Sequence, residues 1–491
     1  MVSQTDTHLR KFALAILFSL LASPAWATTY YLATAAGGGS DSNNGTSSGS
    51  PWLTPNHAVN CGDTITSAAS TSYSAVNFAS GKWGTVTCPA GNNVAWLKCA
   101  TFDGCKISGL TSLQNVMTVS ASYWGVQGWE VDGTSGAGYC FLAIPPSSTA
   151  TIHHIIFANN IAIGCGLAGL QFSHALVGGI AVDYGVQVGN IAYGTSGGSS
   201  SCGSGLYVFS PVASDSLPGT HFYFAGNFSW DNVNPNPCGG TTPTDGNGLI
   251  LDTLDYTFGS EVAYAQQMVV DNNILVANGG RGLEVVGNNI GGVNAHIYFR
   301  NNTVWGNNTD LNQTGACNCI IGEIVIIDTN TTEVFQNIAV TNATDGANGY
   351  PIYDFWATTP SATDSVYQNI GYAASGTYSA KYDPSSLFSY GPNNLFGTNP
   401  SFANPVAPGA PSCGSATSVP NCMATVIANF TPTNTSAIGY GYQIPSATQT
   451  YDPLFPQWLC NATLPTGLVT MGCLAASSLP ASVTITGVTI Q

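Results

Sequence analysis

Charge is what this sequence has least of: only 7% of its 491 residues are Asp, Glu, Lys or Arg, and 8 are basic. Beyond Lys106 the basic residues are Arg281, Arg300 and Lys381. Nucleic acid is therefore excluded as a partner, because phosphate binding draws on clustered Lys and Arg. Long runs of helix formers are also missing, which argues against a helical bundle. So is any run of about 20 apolar residues, the length a membrane-spanning helix needs.

The longest apolar run lies between Phe12 and Leu21, after Arg10 and Lys11 and before Ser23-Pro24-Ala25-Trp26-Ala27. That order of basic, apolar and small residues predicts a secretory signal over residues 1–27, with the mature chain starting near Thr28. Its removal takes away Arg10, Lys11 and Asp6. Six of 8 basic and 23 of 24 acidic side chains then remain, a formal charge of −17. The expected product is secreted or surface-attached, and a monomer.

All 14 cysteines fall after the signal, and an even number in an exported chain predicts disulfides. Cys99/Cys105, Cys317/Cys319, Cys413/Cys422 and Cys460/Cys473 are the close pairs. Cys61/Cys88, Cys140/Cys165 and Cys202/Cys238 are the longer ones. A zinc site is the rival reading of Cys317-Asn318-Cys319, but no second Cys or His pair at ligand spacing accompanies it.

What is present in abundance is Gly (57 residues), with Asn, Ser and Thr, between short blocks of Val, Ile, Tyr and Phe. Such punctuation reads as all-β. A unit of alternating hydrophobes closed by Asn recurs at Asn160, Asn190, Asn227, Asn273, Asn302, Asn337 and Asn369, with intervals of 30, 37, 46, 29, 35 and 32 residues. These intervals predict a right-handed parallel β-helix, in which each coil turns alternate hydrophobes inward and bonds its backbone to the coils on either side. The 46-residue interval requires an inserted loop. The recurrent Asn predicts a stacked ladder at a turn where left-handed backbone is tolerated. The many Asn-X-Ser/Thr matches then follow from turn chemistry and do not by themselves establish glycosylation.

A second unit aligns Gly169, Gly205, Gly248, Gly282 and Gly349. It stacks Leu170, Leu206, Leu249, Leu283 and Tyr350 inward, and turns Gln171, Tyr207, Ile250, Glu284 and Pro351 outward. Two residues on, Ser173, Phe209, Asp252 and Val286 share that outward face. The expected organisation is an N-terminal cap with first coils over 28–150, a central helix over 151–395, and C-terminal coils with a loop-rich cap over 396–491. Caps cover the core and strand edges that a solenoid exposes at its ends.

Near the N-terminus, Tyr30-Tyr31 leads through Asp41, Asn44 and Gly45 to Pro51-Trp52, His57-Ala58-Val59 and Gly62-Asp63-Thr64. Near the other end stand Asn399-Pro400-Ser401-Phe402 and Thr435-Ser436-Ala437-Ile438-Gly439-Tyr440-Gly441. These motifs resemble those of secreted bacterial right-handed β-helix proteins, the pectate-lyase-like group that includes family 9 polysaccharide lyases. The resemblance implies an extracellular polysaccharide as partner. In the family 9 lyases it further implies a lysine base beside calcium held by clustered aspartates. This sequence departs from that pattern: it has no lysine between Lys106 and Lys381, and its central coils hold no run of aspartates. Polygalacturonase-type hydrolases are echoed by Asn308-Thr309-Asp310 alone.

The densest polar constellation is Asp245-Gly246-Asn247-Gly248, then Asp252 and Asp255, then Arg281 and Glu284. Cleavage of a uronate polymer by β-elimination needs a group that neutralises the substrate carboxylate and a base for the C5 proton. The expected catalytic residues are Arg281, Asp252 and Glu284, with Asn247, Tyr207 and Gln171 binding substrate. Calcium on Asp245, Asp252 and Asp255 is the expected cofactor, since a hard cation takes oxygen ligands and would bridge an acidic protein to a polyanion. Arginine as a base is demanding, its ordinary pKa exceeding about 12, so a clamp is its alternative role. His154, His174 and His296 are lesser candidates. Two other classes stay open: a non-catalytic glycan-binding or adhesin-like protein using the same face, and a hydrolase working through Asp252 and Glu284.

Overall fold

The computed structural model describes residues 27–88, 93–110, 115–134, 138–147, 150–175, 180–196, 203–234, 245–254, 263–287, 295–310, 321–329, 331–341, 349–355, 364–373, 389–443, 452 and 454–461. The expected signal, apart from Ala27, lies outside them, as do Asp255, both members of the pairs Cys317/Cys319 and Cys202/Cys238, and Cys473, the expected partner of Cys460. No helix among the described residues is long and apolar enough to cross a membrane.

One coil shows how the chain is wound. The strand Ile152–Ala158 is followed by a turn at Asn159-Asn160, the strand Ile161–Ile163, a short corner, the strand Ala168–Phe172, and a loop leading into Val182–Val188. Each strand pairs in parallel with its counterpart one coil away. The described strands thereby build three long parallel sheets of twelve, eight and ten strands. The protein is an all-β right-handed parallel β-helix, with the hand that parallel crossovers take.

The interior is filled by the alternate positions that the repeats single out. Leu170, Leu206, Leu249 and Leu283 align in register in the eight-stranded sheet, and all are fully buried. Burying each contributes about 2 kcal/mol. The column then runs to Ile324 and Ile352, with Tyr350 opposite Gly322. Tyr350 and Pro351 are thus displaced by two residues from their expected places. The strand Gly349–Phe355 has seven residues and carries its glycine at its start, so Ile352 takes the inward position.

The Asn ladder forms as the repeats require. In Asn160, Asn190, Asn227, Asn273, Asn302, Asn337 and Asn369, each backbone N–H and side-chain amide donates to the Oδ1 of the next Asn, and Asn394 extends the series. The left-handed position is the residue before the ladder Asn: Asn159, Gly189, Gly226, Asn272, Asn301, Gln336, Gln368 and Asn393 all have φ between 52° and 67°. That residue turns the corner, and the next Asn carries the register.

The N-terminal motif folds against the strand Thr29–Leu32. Asp41 accepts hydrogen bonds from the backbone N–H groups of Leu53 and Thr54 and from the Thr54 hydroxyl, while Trp52 stacks between Tyr30 and His57 at 4.5 and 3.9 Å. A Cβ on Gly45 would stand 2.3 Å from the Trp52 ring, and its φ of 71° is left-handed, so only glycine fits there. Disulfides Cys61–Cys88, Cys99–Cys105, Cys140–Cys165 and Cys413–Cys422 join the expected partners.

Described residues of the C-terminal arm pack on the outer faces of the ten- and twelve-stranded sheets. Val419, Met423 and Phe430 pack on Ile161, Ile191, Phe228 and Trp230 of the ten-stranded sheet. Phe455, Trp458 and Leu459 pack on Ile156, Val186 and Tyr223 of the twelve-stranded sheet. An ion pair from Arg300 to Asp271, at 2.9 Å, and to Asp452 pins the second contact. Asp452→Asn is expected to lower stability by about 1 kcal/mol and to increase quenching of Trp458 fluorescence. Unchanged quenching would separate the arm's seating from this ion pair.

One buried acidic pair lies at the corner between the eight- and twelve-stranded sheets. Burial and the charge of Asp354 push Asp364 up from 3.8 to about 8, against the hydrogen bond it accepts from the Thr332 N–H. Because its folded value lies above its unfolded one, the folded chain binds this proton more tightly. Its contribution to stability is complete below about 4 and lost as pH rises to about 8. Asp364→Asn is expected to flatten the fall of melting temperature across that window; an unaltered slope would refute the assignment.

Candidate functional site

The eight-stranded sheet turns a different kind of face outward. Its outward column is Gln171, Tyr207, Ile250, Glu284, Val325 and Tyr353, in register from coil to coil. Tyr207 and Ile250 form a small apolar cluster with Ala168, and Tyr139, Phe209 and Val286 pack at its edge.

The corner before this sheet is where the glycine-rich runs stack. Gly280 donates to the carbonyl of Gly246 and Gly248 to that of Arg281, both at 2.9 Å, while the backbone N–H of Arg281 donates to Asn247 Oδ1 at 2.7 Å. A Cβ on Gly280 would approach that same Oδ1 to 2.4 Å, so glycine permits the two runs to touch. Asn308-Thr309-Asp310 lies one coil further, where Asn308 and Asp310 donate backbone N–H groups to the carbonyls of Gly280 and Gly279. It belongs to the same stack of corners.

Asn247 joins the two halves of the site. Its Oδ1 holds the Arg281 backbone, and its Nδ2 donates to Glu284 Oε2 at 2.8 Å. On the other side of the carboxylate, Arg281 Nε stands 3.6 Å from Oε1. Burial pushes Glu284 up to about 7; Arg281 and Asn247 favour the ionised form, and the nearby charge of Asp252 opposes it. Glu284 thus changes charge near neutrality.

A second pair lies beside it. Tyr207 donates its hydroxyl to Asp252 Oδ2 at 2.6 Å, and Thr253 donates to Oδ1 at 2.9 Å. Burial raises Asp252 against these two donors. Burial, then the charges of Asp252 and Asp245, hold the Tyr207 hydroxyl well above its ordinary range. Arg281, Glu284, Asp245, Asn247, Tyr207 and Gln171 are buried, whereas Asp252, Phe209 and Val286 keep part of their surface exposed. The site therefore opens along the row of Asp252.

Of the expected residues, the fold brings Arg281, Glu284, Asn247, Asp252 and Tyr207 together, with Asp245 close enough for its charge to act on Tyr207. Gln171 stands apart in the same column, one coil beyond Tyr207, and its Oε1 has no hydrogen-bond partner among the described residues. His174 packs on Phe209 near the same row, while His154 and His296 belong to the twelve-stranded sheet. Among the described residues no group of three or more His, Cys, Asp or Glu could hold a metal. Both Asp252 oxygens accept hydrogen bonds, and Asp255, the third expected calcium ligand, lies outside the described residues.

Two features escaped the sequence reading. Asn232, Asn278 and Asn307 form a second ladder that ends on the buried carboxylate of Glu323. Each stands five residues after a ladder Asn, at 227, 273 and 302, and that constant offset was the available signal. The other feature is a cluster of His, Tyr and Asp side chains around Asp183 on the twelve-stranded sheet, which has no sequence motif because its members come from four coils.

No protein-family model matches the chain, and no curated protein matches it in sequence. Among solved structures, pectate lyase Pel9A is similar over 87% of this chain and 94% of its own, at 14% identity and a TM-score of 0.40. XylC in complex with xylose is similar over 72% of this chain and 71% of its own, at 11% identity and 0.38. The A-module of the Azotobacter vinelandii mannuronan C-5 epimerase AlgE4 is similar over 67% of this chain and 90% of its own, at 14% identity and 0.36.

Proposed function

We propose that the protein is a secreted polysaccharide lyase that cleaves a uronate-containing chain by β-elimination on the outer face of the eight-stranded sheet. The observation that carries this reading is the Arg281–Glu284 pair, whose carboxyl changes charge at about 7, on the outer face of the eight-stranded sheet. The Arg281 guanidinium binds the substrate carboxylate and draws charge from it, which acidifies the proton on C5. Ionised Glu284 takes that proton, the electron pair forms the C4–C5 double bond, and the C4–O4 bond breaks. The departing oxygen takes a proton from the Tyr207 hydroxyl, which is held against Asp252 and reprotonated from solvent. A general base with a pKa near the working pH suits this step.

A second reading, a glycoside hydrolase using Asp252 and Glu284, draws support from one observation: both carboxyls are raised, and Asp252 acts on Glu284 through its charge. The test incubates purified protein with pectate, alginate and glycosaminoglycans, reading ultraviolet absorbance of unsaturated uronate and release of reducing ends. A growing absorbance supports the lyase, and reducing ends without absorbance support the hydrolase. Neither signal, with retention on a glycan column, supports the binding protein. A chelator arm tests whether calcium, held by Asp245 and Asp252 together with Asp255, takes part.

A further inference from the structure

The twelve-stranded sheet carries a cluster that the proposed reaction does not use. Asp183, on the strand Val182–Val188, is fully buried and accepts four hydrogen bonds. Ser214 donates its backbone N–H at 2.6 Å and its hydroxyl at 2.8 Å to Oδ2; the Tyr264 hydroxyl, at 2.7 Å, and His221 Nδ1, at 2.9 Å, meet Oδ1. One carboxylate thus ties together the loop Ser210–Gly219, the start of the strand Thr220–Ala225, and the segment leading into Gln267–Asp271. Burial pushes Asp183 up, but these donors outweigh it and hold the carboxyl below its ordinary value, so it is an anion.

The second nitrogen of His221 is also engaged. Nε2 stands 3.0 Å from the carbonyl oxygen of Leu217, on the far side of that loop. A carbonyl only accepts, and an anionic carboxylate only accepts, so both contacts are hydrogen bonds when both ring nitrogens carry hydrogen. The ring lies at a register shift between Thr220 and Phe222 and stacks on Tyr184 at 3.8 Å, which fixes its plane. Tyr184 in turn donates to Asp215 Oδ1 at 2.9 Å, adding a third tie to the loop.

We infer that Asp183 and His221 form a proton-dependent latch that clamps the loop Ser210–Gly219 when His221 is doubly protonated and releases it at Leu217 when the ring loses its Nε2 hydrogen. The released proton goes to solvent. Nδ1 keeps its hydrogen because it faces the carboxylate, and the Nε2 lone pair is left facing the Leu217 oxygen, a contact that repels. The titratable groups facing the ring are Asp183 and Tyr184 from its neighbouring strand, Tyr264 and Asp215 from the two loops, and His153 and His154 from the next coil. His153 and His154 share one hydrogen between Nδ1 atoms 2.9 Å apart. Burial first, then the neighbouring His153, lowers His154 to about 3, which leaves it uncharged beside the latch. The loop departs from Phe209, which pairs with Asp252 in the eight-stranded sheet.

The test uses the full chain with nitrogen-15-labelled histidine. The His221 ring is followed by NMR, and residues 211–219 by hydrogen exchange normalised to intrinsic rates, from mildly acidic to alkaline pH. The expected result is a doubly protonated ring with a protected loop at acidic pH. Once Nε2 has lost its hydrogen, protection falls about tenfold, the scale of one charge-assisted hydrogen bond. His221→Asn keeps a donor for Asp183 but does not reach Leu217, and should leave the loop weakly protected throughout. Ser214→Ala should lower protection at every pH while retaining the step, and stands in if His221→Asn does not fold. A singly protonated ring at acidic pH, or loop protection that ignores the ring's titration, would overturn the latch. Neither readout depends on enzymatic activity.

Discussion

Asn227→Ala is expected to destabilise the fold by about 3–5 kcal/mol, the upper range for a single substitution. The side chain of Asn227 is completely buried and makes four hydrogen bonds. Its Oδ1 accepts from the backbone N–H and side-chain amide of Asn190, and its Nδ2 donates to the Gln187 carbonyl and to Asn273 Oδ1. Alanine removes all four and leaves the buried backbone N–H of Asn190 without its acceptor, which costs more than that bond was worth. The same change at Asn394, the part-buried end of the ladder, is expected to cost about 1 kcal/mol. Equilibrium denaturation of the two variants measures the difference. Equal losses would mean that the ladder does not act as a continuous buried element.

For the reaction, Arg281→Ala is expected to lower kcat/KM about a thousandfold, as removal of a group that stabilises developing charge does. Glu284→Gln should lower kcat by a similar factor with little change in KM, because the amide keeps the shape and the Asn247 contact but takes no proton. In the wild type the base acts when ionised, so activity should rise with pH through about 7 and then level off. Asp252→Asn removes the charge that helps raise Glu284 and should move this rise to lower pH. Loss of activity with an unchanged pH profile in that variant would break the proposed coupling. Circular dichroism of each variant separates a lost reaction from a lost fold.

The fold was legible because its repeats are physical requirements. Each coil must present an inward hydrophobe at the position of Leu170, Leu206, Leu249 and Leu283, and an Asn at the position of Asn227, so both patterns recur in the sequence. The coil containing Ile324 was missed for the same reason. The Gly322 that pairs with Tyr350 sits two residues before the inward position, and alignment by glycine skipped to Gly349. The close set of Arg281, Glu284, Asn247, Asp252 and Tyr207 was legible from the glycine alignment, since residues at equal offsets in adjacent coils must touch. Burial of that set was not, because it depends on how loops fold over the sheet. The Asp183 cluster was invisible for a related reason: Ser214, His221 and Tyr264 reach one carboxylate through loops of unequal length.

The most direct measurement is the pH–rate profile of unsaturated uronate release by the wild type and by Glu284→Gln, on whichever polyuronate gives product. The account predicts a wild-type rate that rises through about 7 and a variant that is nearly inactive and flat. No unsaturated product from any polyuronate, or a variant that keeps the wild-type profile, would contradict it.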